Sequence, residues 1–236
     1  MQSGDLLVLK EKTTSLPKVY PLRLTVLFED EQLALIHKPA GIPVSGNRFK
    51  TIYNALPFTL KNSRETDRLP WPTPVHRLDH QTAGILLVAK TGRAQIHLSK
   101  QFEEQSIQKT YSALVIGKTA EKGTVCLPLD NKPSETCFVQ LETLPSKMYG
   151  SLSSLKVFPK TGRTHQIRKH LSAIGHPILG DPTYGKPFPL YKGKGLFLCA
   201  TEITFLHPIS GESIHYEIAL PKKFKRLILR GKEKNN

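Results

Sequence analysis

The sequence predicts an α+β fold in a single catalytic domain, with a mostly antiparallel mixed sheet flanked by helices and loops. Three observations predict it. Apolar runs typical of strands occur in groups, and only two segments have a helical period, whereas regular alternation of strand and helix would favour a parallel sheet. The 236 residues suit one substantial core, because domains usually hold about 100 to 200 residues.

The first predicted elements are two strands that form a hairpin. Leu24–Phe28 and Leu33–Ile36 are apolar runs separated by a polar turn, a pattern typical of an antiparallel pair. Prolines interrupt regular structure over His37–Pro43, so we expect a loop there. The stretch 62–74 contains three prolines and is also predicted to be an irregular loop. Trp71 in this stretch either anchors the loop by packing or stacks on RNA.

A buried strand and an amphipathic helix follow. Ile85–Ala89 is a continuous apolar run, and Ala94, Leu98 and Phe102 are spaced as on one face of a helix over Arg93–Gln105. The chain then returns to strand patterns over 107–116, 135–144 and 151–158.

The second predicted helix begins after Thr164, which can cap it. Ile167, Leu171 and Ile174 follow a helical spacing, and Gly175 ends the pattern. Further strands are predicted over 196–200, 202–206 and 214–220. We divide the chain into an N-terminal extension (1–20), a catalytic domain (21–221) and a basic C-terminal tail (222–236), which either binds RNA or docks on the core.

The charge balance makes nucleic acid the first candidate partner. The chain has 34 Lys and Arg against 19 Asp and Glu, a formal net charge of +15, although many soluble proteins are basic without binding a polyanion. Its three cysteines are far apart, which predicts neither a disulfide framework nor a zinc knuckle. No apolar run approaches the ~18 residues of a membrane span, so we expect a cytoplasmic monomer with no membrane partner.

The candidate catalytic segment is His76–Lys90, which places a charged cluster directly before a buried strand. A rigid strand can hold such side chains at the edge of a cleft, so Asp79 is a candidate nucleophile or acid–base group. Taken alone, an Arg-Leu-Asp tripeptide more often caps a turn or forms a local ion pair.

In its full context this segment resembles the central motif of the RluA family of pseudouridine synthases, in which the aspartate after His-Arg-Leu is catalytic. Lys109–Val115 looks like the family's Lys-x-Tyr strand, and Lys160–Leu171 looks like its Gly-Arg-Thr-His-Gln-Ile-Arg helix start. Gly175–Asp181 continues that match, and Lys38–Gly41 matches the family's opening motif. The resemblance extends over 24–220 and implies the pseudouridine synthase fold.

The resemblance implies isomerisation of specific uridines to pseudouridine in structured ribosomal or transfer RNA, with no cofactor and no metal. Asp79 acts either by covalent attack on the sugar or base, or by taking the proton of the ribose 2′ carbon to give a glycal; both routes stay open. Both need an ionised Asp79, which a neighbouring Arg168 would favour. The family implies that Tyr111 packs against the uracil and helps to remove the carbon 5 proton; an ordinary half-buried strand tyrosine is the alternative.

The family also implies that the target base is flipped out of the RNA, which costs a few kcal/mol of unstacking. Arg77 is the candidate for insertion into the gap, because a guanidinium stacks on bases. His76 either contacts RNA or supports the loop. Arg163, Thr164, His165 and Gln166 lie at a helix N-terminus, which attracts phosphate, with capping alone as the alternative for Thr164 and His165.

Two other enzyme classes are disfavoured. A zinc-dependent deaminase needs a Cys-x-x-Cys pair that the chain lacks, and a methyltransferase or dehydrogenase needs a glycine-rich cofactor loop of suitable length. The remaining alternative is a catalytically silent RNA-binding or RNA-folding protein with the same fold.

Overall fold

A computed structural model describes residues 17–191 and 193–232. Residues 1–16 of the predicted extension and 233–236 of the predicted tail lie outside the described residues. No helix in the described ranges is both long and apolar enough to cross a bilayer.

The described chain forms one mixed sheet flanked by helices, which confirms the predicted fold class. All its strand pairings are antiparallel except one. The strands follow the order β1-β2-β4-β9-β5-β8-β7-β6, with β3 paired to β4 and β10 paired to β9. In chain order the elements are β1 (Thr25–Glu29), β2 (Leu33–Lys38), α1 (Ile52–Thr59), β3 (Arg68–Pro74), β4 (Ala83–Thr91), α2 (Gly92–Glu103), β5 (Gln108–Ile116), β6 (Lys122–Val125), β7 (Thr136–Ser146), β8 (Gly150–Pro159), α3 (Gln166–Ala173), β9 (Leu198–Leu206), β10 (Ser213–Glu217) and α4 (Lys222–Lys232).

The predicted opening hairpin is confirmed, and a side chain closes its turn. The Asp30 carboxylate accepts hydrogen bonds from the backbone N–H of Gln32 (2.7 Å) and of Leu33 (2.8 Å), the local bonding that makes aspartate a good turn residue. Strand β2 then pairs with the buried β4, so the hairpin is fixed to the middle of the sheet.

Two elements between β2 and β4 differ from the prediction. Arg68–Pro74 is strand β3, not an irregular loop; its prolines are tolerated because it pairs only with β4, with a register shift, and so needs few donors. Helix α1 was not predicted, because it is short and contains Pro57. Trp71 is buried and donates its indole N–H to the carbonyl of Tyr53 at 2.7 Å, so it anchors β3 on α1.

The single parallel pairing, between β4 and β9, brings the start of β4 against Ala200. Gly84 has φ of +126°, and a Cβ there would lie 2.2 Å from the carbonyl oxygen of Ala200. Only glycine fits this close approach of two backbones. The runs predicted as separate strands over 196–200 and 202–206 form one strand, β9.

The described part of the basic C-terminal segment is a helix docked on the core. Phe224 is 1% exposed, and its ring centroid lies 5.2 Å from that of Phe197. Gly231 packs directly against Leu144 of β7. The sequence left open whether this segment docks on the core or binds RNA, and its helix α4 is docked.

Candidate active site

Asp79 lies in the short loop that joins β3 to β4. Its backbone carbonyl accepts a hydrogen bond from Thr82 N–H at 3.0 Å, which makes a tight turn directly before β4. The neighbouring Leu78 is buried in the core, while the Asp79 side chain remains 17% exposed. The loop thus presents one carboxylate at the bottom of a cleft.

Lys38 holds this loop in place through buried hydrogen bonds. Its side chain is fully buried, and its ammonium donates to the carbonyls of Pro39 (2.9 Å), His80 (3.3 Å) and Thr82 (2.8 Å). Burial lowers the pKa of Lys38 to about 8, and the charge of Asp79 opposes that shift. The sequence predicts no role for Lys38 beyond its place in the opening motif, although a lysine that continues an apolar strand into a proline is an unusual pattern.

Arg168, on the first turn of α3, lies beside Asp79 as the resemblance implied. Its Nη1 is 3.6 Å from the Asp79 carboxylate. The guanidinium is 4% exposed and makes its strongest contacts elsewhere, because Nε and Nη2 donate to the two carboxylate oxygens of Asp181 at 2.7 Å and 2.9 Å. Arg168 therefore bridges two carboxylates.

Asp181 is a site residue that the sequence analysis missed. It is buried and also accepts hydrogen bonds from the N–H groups of Thr183 (2.9 Å) and Tyr184 (3.1 Å). Burial raises the pKa of Asp181, but the bonds from Arg168 and the two amides outweigh it, so the net pKa is lowered. The ring of Tyr184 lies 5.0 Å from the guanidinium carbon and completes the support of Arg168.

Tyr111 lies on β5 and lines the same cleft as Asp79. Burial raises the pKa of its hydroxyl well above the ordinary value, and the negative charge of Asp79 raises it further. The hydroxyl is therefore a neutral phenol in the free protein. This cleft has a volume of about 70 Å³ and is lined by Asp79 and Tyr111; Arg168 lies behind the lining, in contact with Asp79.

His76 and Arg77, two residues of the same loop, have different positions. The ring of His76 stacks on Phe102 at a centroid distance of 4.8 Å, and its Nε2 accepts the backbone N–H of Leu87 at 2.9 Å. Burial and then the charge of Lys109 lower the pKa of His76 to about 3. His76 is therefore neutral and supports the loop, whereas Arg77 is exposed.

The residues predicted to bind RNA at the start of α3 also differ in their positions. Gln166 is buried, and its amide bonds to the hydroxyl of Thr161, the N–H of Arg163 and the carbonyl of Glu135. Because its amide is bonded inside the protein, little of the Gln166 side chain remains available to contact RNA. Arg163 and Thr164 lie at the surface.

Helix α3 begins with His165 at the N-cap position, and no side chain makes a capping bond there, so the predicted cap by Thr164 is wrong. His165 has φ of 57°, and its Nδ1 is 3.0 Å from the Tyr184 hydroxyl. Its Nε2 is 3.9 Å from Asp79. Burial lowers the pKa of His165 against the opposing charge of Asp79, which favours the neutral ring near pH 7.

No group of three or more His, Cys, Asp or Glu side chains in the described part of the chain is arranged to hold a metal ion.

Comparison with known proteins identifies this arrangement. Residues 32–173 match the family model described as RNA pseudouridylate synthase. The chain is 38% identical over 240 residues to ribosomal large subunit pseudouridine synthase C of Vibrio cholerae, covering 89% of this chain and 72% of that protein. The chain belongs to the RluA family of RNA pseudouridine synthases.

Other relatives agree with this assignment. Ribosomal large subunit pseudouridine synthase D of Nitrosomonas europaea is 36% identical over 231 residues, covering 87% of this chain and 64% of that protein. Among solved structures, human RNA Pseudouridylate Synthase Domain Containing 4 superposes with a TM-score of 0.69 at 22% identity, covering 88% of this chain and 93% of that one. This likeness confirms the pseudouridine synthase fold. The chain spans about two thirds of the length of the bacterial relatives.

Proposed function

We propose that this pseudouridine synthase isomerises specific uridines in structured RNA, with Asp79 as the reactive carboxylate. The observation that carries the proposal is the placement of Asp79 in a cleft with Tyr111, 3.6 Å from a buried arginine. The cation favours the ionised carboxylate that both chemical routes need. Because the relatives above are named ribosomal large subunit pseudouridine synthases, we propose ribosomal RNA of the large subunit as the substrate.

All routes break the bond between uracil N1 and the ribose C1′ carbon. Attack on the base would first add the carboxylate to the uracil ring and later expel it, whereas the two routes that act on the sugar begin with the cleavage itself. In the covalent route, an oxygen of Asp79 bonds to C1′ as the uracil leaves with the bonding electrons. In the glycal route, Asp79 takes the proton of the 2′ carbon instead and later returns it. The uracil then rotates, its carbon 5 bonds to C1′, and Asp79 is ionised again.

The last step removes the proton from carbon 5 while N1 of the uracil gains one from its surroundings, so the reaction is a net isomerisation. We propose that Tyr111 carries this proton. Because its raised pKa keeps the hydroxyl protonated, Tyr111 can accept the carbon 5 proton only by passing its own proton on. The regenerated Asp79 carboxylate, which shares the cleft, is the acceptor, and it then releases the proton to solvent, which restores the ionised Asp79.

The surface residues near the cleft fit a role in RNA binding. We propose that Arg77, which is exposed next to the Asp79 loop, enters the space that the flipped base leaves. Arg163 and Thr164 are placed to contact phosphates at the rim. A supporting role suits His76, His165 and Gln166 better than direct RNA contact does, because their polar atoms are bonded within the protein.

The test is release of tritium from RNA labelled at uridine carbon 5, because only isomerisation frees that hydrogen. We would use ribosomal RNA from a strain in which the gene is deleted, so that the target uridine is unmodified. Asp79→Asn should abolish release and leave RNA affinity within about threefold, since it removes charge and keeps shape. Asp67→Asn, which changes a carboxylate outside the cleft, is the matched control.

The same experiment distinguishes an isomerase from the alternative function, RNA binding without catalysis. A catalytically silent RNA-binding protein would bind this RNA and release no tritium with the wild-type protein. Turnover by Asp79→Asn near the wild-type rate would remove Asp79 from the mechanism.

A further inference from the structure

A second concavity opens beside the catalytic cleft. We call it the side groove; it has a volume of about 400 Å³, within the roughly 300–1,000 Å³ of typical ligand pockets, and it is lined by residues that include Val75, His76, Phe102, Lys109, Lys160 and Arg163. Lys109, Thr161, Gly162 and Arg163 line both the side groove and the catalytic cleft. The groove therefore adjoins the cleft, and an RNA strand that occupies the cleft can continue into the groove.

The cations of the side groove lack acidic partners. No carboxylate in the described ranges lies within ion-pairing distance of Lys109, Lys160 or Arg163, whereas Arg168 in the adjacent cleft is paired twice. Burial lowers the pKa of Lys109, and no anion opposes that shift. Glu103 is the acidic residue on the lining, and it is exposed. A bound anion would compensate a partly desolvated ammonium that the protein itself leaves uncompensated.

The floor of the side groove is aromatic. The ring of Phe102 stacks on His76, and the Lys109 ammonium lies 5.8 Å from the centroid of the Phe102 ring. Aromatic and apolar side chains beside unpaired cations suit a nucleotide, whose sugar and base need apolar contact and whose phosphate needs positive charge.

We propose that the side groove binds the nucleotide adjacent to the target uridine, with Lys109 and Lys160 on its phosphate and Arg163 at the shared rim. This inference rests on the proposed function, since it takes the catalytic cleft as the place of the flipped uridine. It also defines the substrate class further. A neighbour held in this groove is unstacked in the complex, which favours a target uridine in a loop, where unstacking costs least.

The probe for the groove is a fluorescein-labelled decauridylate, whose affinity is measured against salt concentration. Each phosphate that a cation neutralises contributes about 0.7 to the slope of log affinity against log salt for single strands. Lys160→Gln should lower the slope by about 0.7 and Lys160→Arg should restore it. Lys109→Gln should act in the same way. Lys122→Gln on the edge strand β6, which also removes an exposed charge, is the control and should leave the slope unchanged.

Equal slopes for Lys160→Gln and Lys122→Gln would overturn the proposal. Lys160 is exposed, so its replacement keeps the test valid even if Lys109→Gln folds poorly. The binding measurement involves no chemistry and therefore fails separately from the isomerase proposal. Tritium release with an unchanged Lys160→Gln slope rejects only the groove, and a lowered slope without tritium release rejects only the isomerase activity.

Discussion

Replacement of Asp181 by Asn tests whether Arg168 is held in place by a buried ion pair. The two side chains are 0% and 4% exposed and make two parallel hydrogen bonds. Asparagine keeps the size of aspartate and can still accept the amide bonds from Thr183 and Tyr184. It removes the negative charge and points an N–H group at the guanidinium.

The size of the effect follows from these contacts. Removing one partner of a buried ion pair costs about 3–5 kcal/mol, because the other charge is left uncompensated. The Asp79 carboxylate, 3.6 Å from Arg168, still compensates part of that charge. We therefore expect Asp181→Asn to lower the free energy of unfolding at pH 7 by about 3 kcal/mol, at the lower end of that range.

The effect should depend on pH in a defined direction. The pKa of Asp181 is lowered in the folded protein, so its carboxylate stabilises the fold fully above the unfolded pKa of about 4. That contribution is lost as the pH falls through the folded pKa. The difference between the wild type and Asp181→Asn should thus be full at pH 7 and shrink below about pH 4.

Urea unfolding followed by circular dichroism measures the stability, and tritium release measures the activity. Glu202→Gln is the control, because it breaks a pair whose lysine, Lys156, is 39% exposed, and such pairs contribute little. Activity of Asp181→Asn should fall at least tenfold, since Arg168 loses the partner that orients it. Equal stability losses in Asp181→Asn and Glu202→Gln would refute the reasoning.

Three further predictions concern the loop and the cleft. Tyr111→Phe should keep RNA affinity and lower turnover by the ~10² to 10⁴ typical of lost acid–base catalysis; near-normal turnover, with loss only in Tyr111→Ala, would leave the aromatic contact as its role. Arg77→Ala should slow turnover on folded RNA much more than on a short unstructured RNA with the same uridine, because flipping is costly where the base is stacked, and equal losses would indicate a direct catalytic role. Lys38→Met should lower the free energy of unfolding by about 1–3 kcal/mol for each buried carbonyl that it leaves unpaired. Unchanged urea unfolding would contradict the role of Lys38 in holding the Asp79 loop.

The sequence by itself determined the fold class, the opening hairpin, the strand and helix after the catalytic loop, and the order of the family motifs. These features depend on local pattern: apolar periodicity specifies which face of a strand or helix is buried. The resemblance to the family implied that Arg168 lies beside Asp79, and the structure has the two in contact.

Only the tertiary structure decided which polar groups pair. Lys38 holds the site through bonds to carbonyls 42 and 44 residues along the chain, and Asp181 bonds Arg168 across the end of α3. His76 and Gln166 are bonded within the protein, although their motif positions suggested RNA contact. Strand β3 exists because β4 offers it an edge, and α4 is fixed by the burial of Phe224. A residue's type states how many hydrogen bonds and how much apolar surface must be satisfied, but packing of the whole chain determines which partners satisfy them.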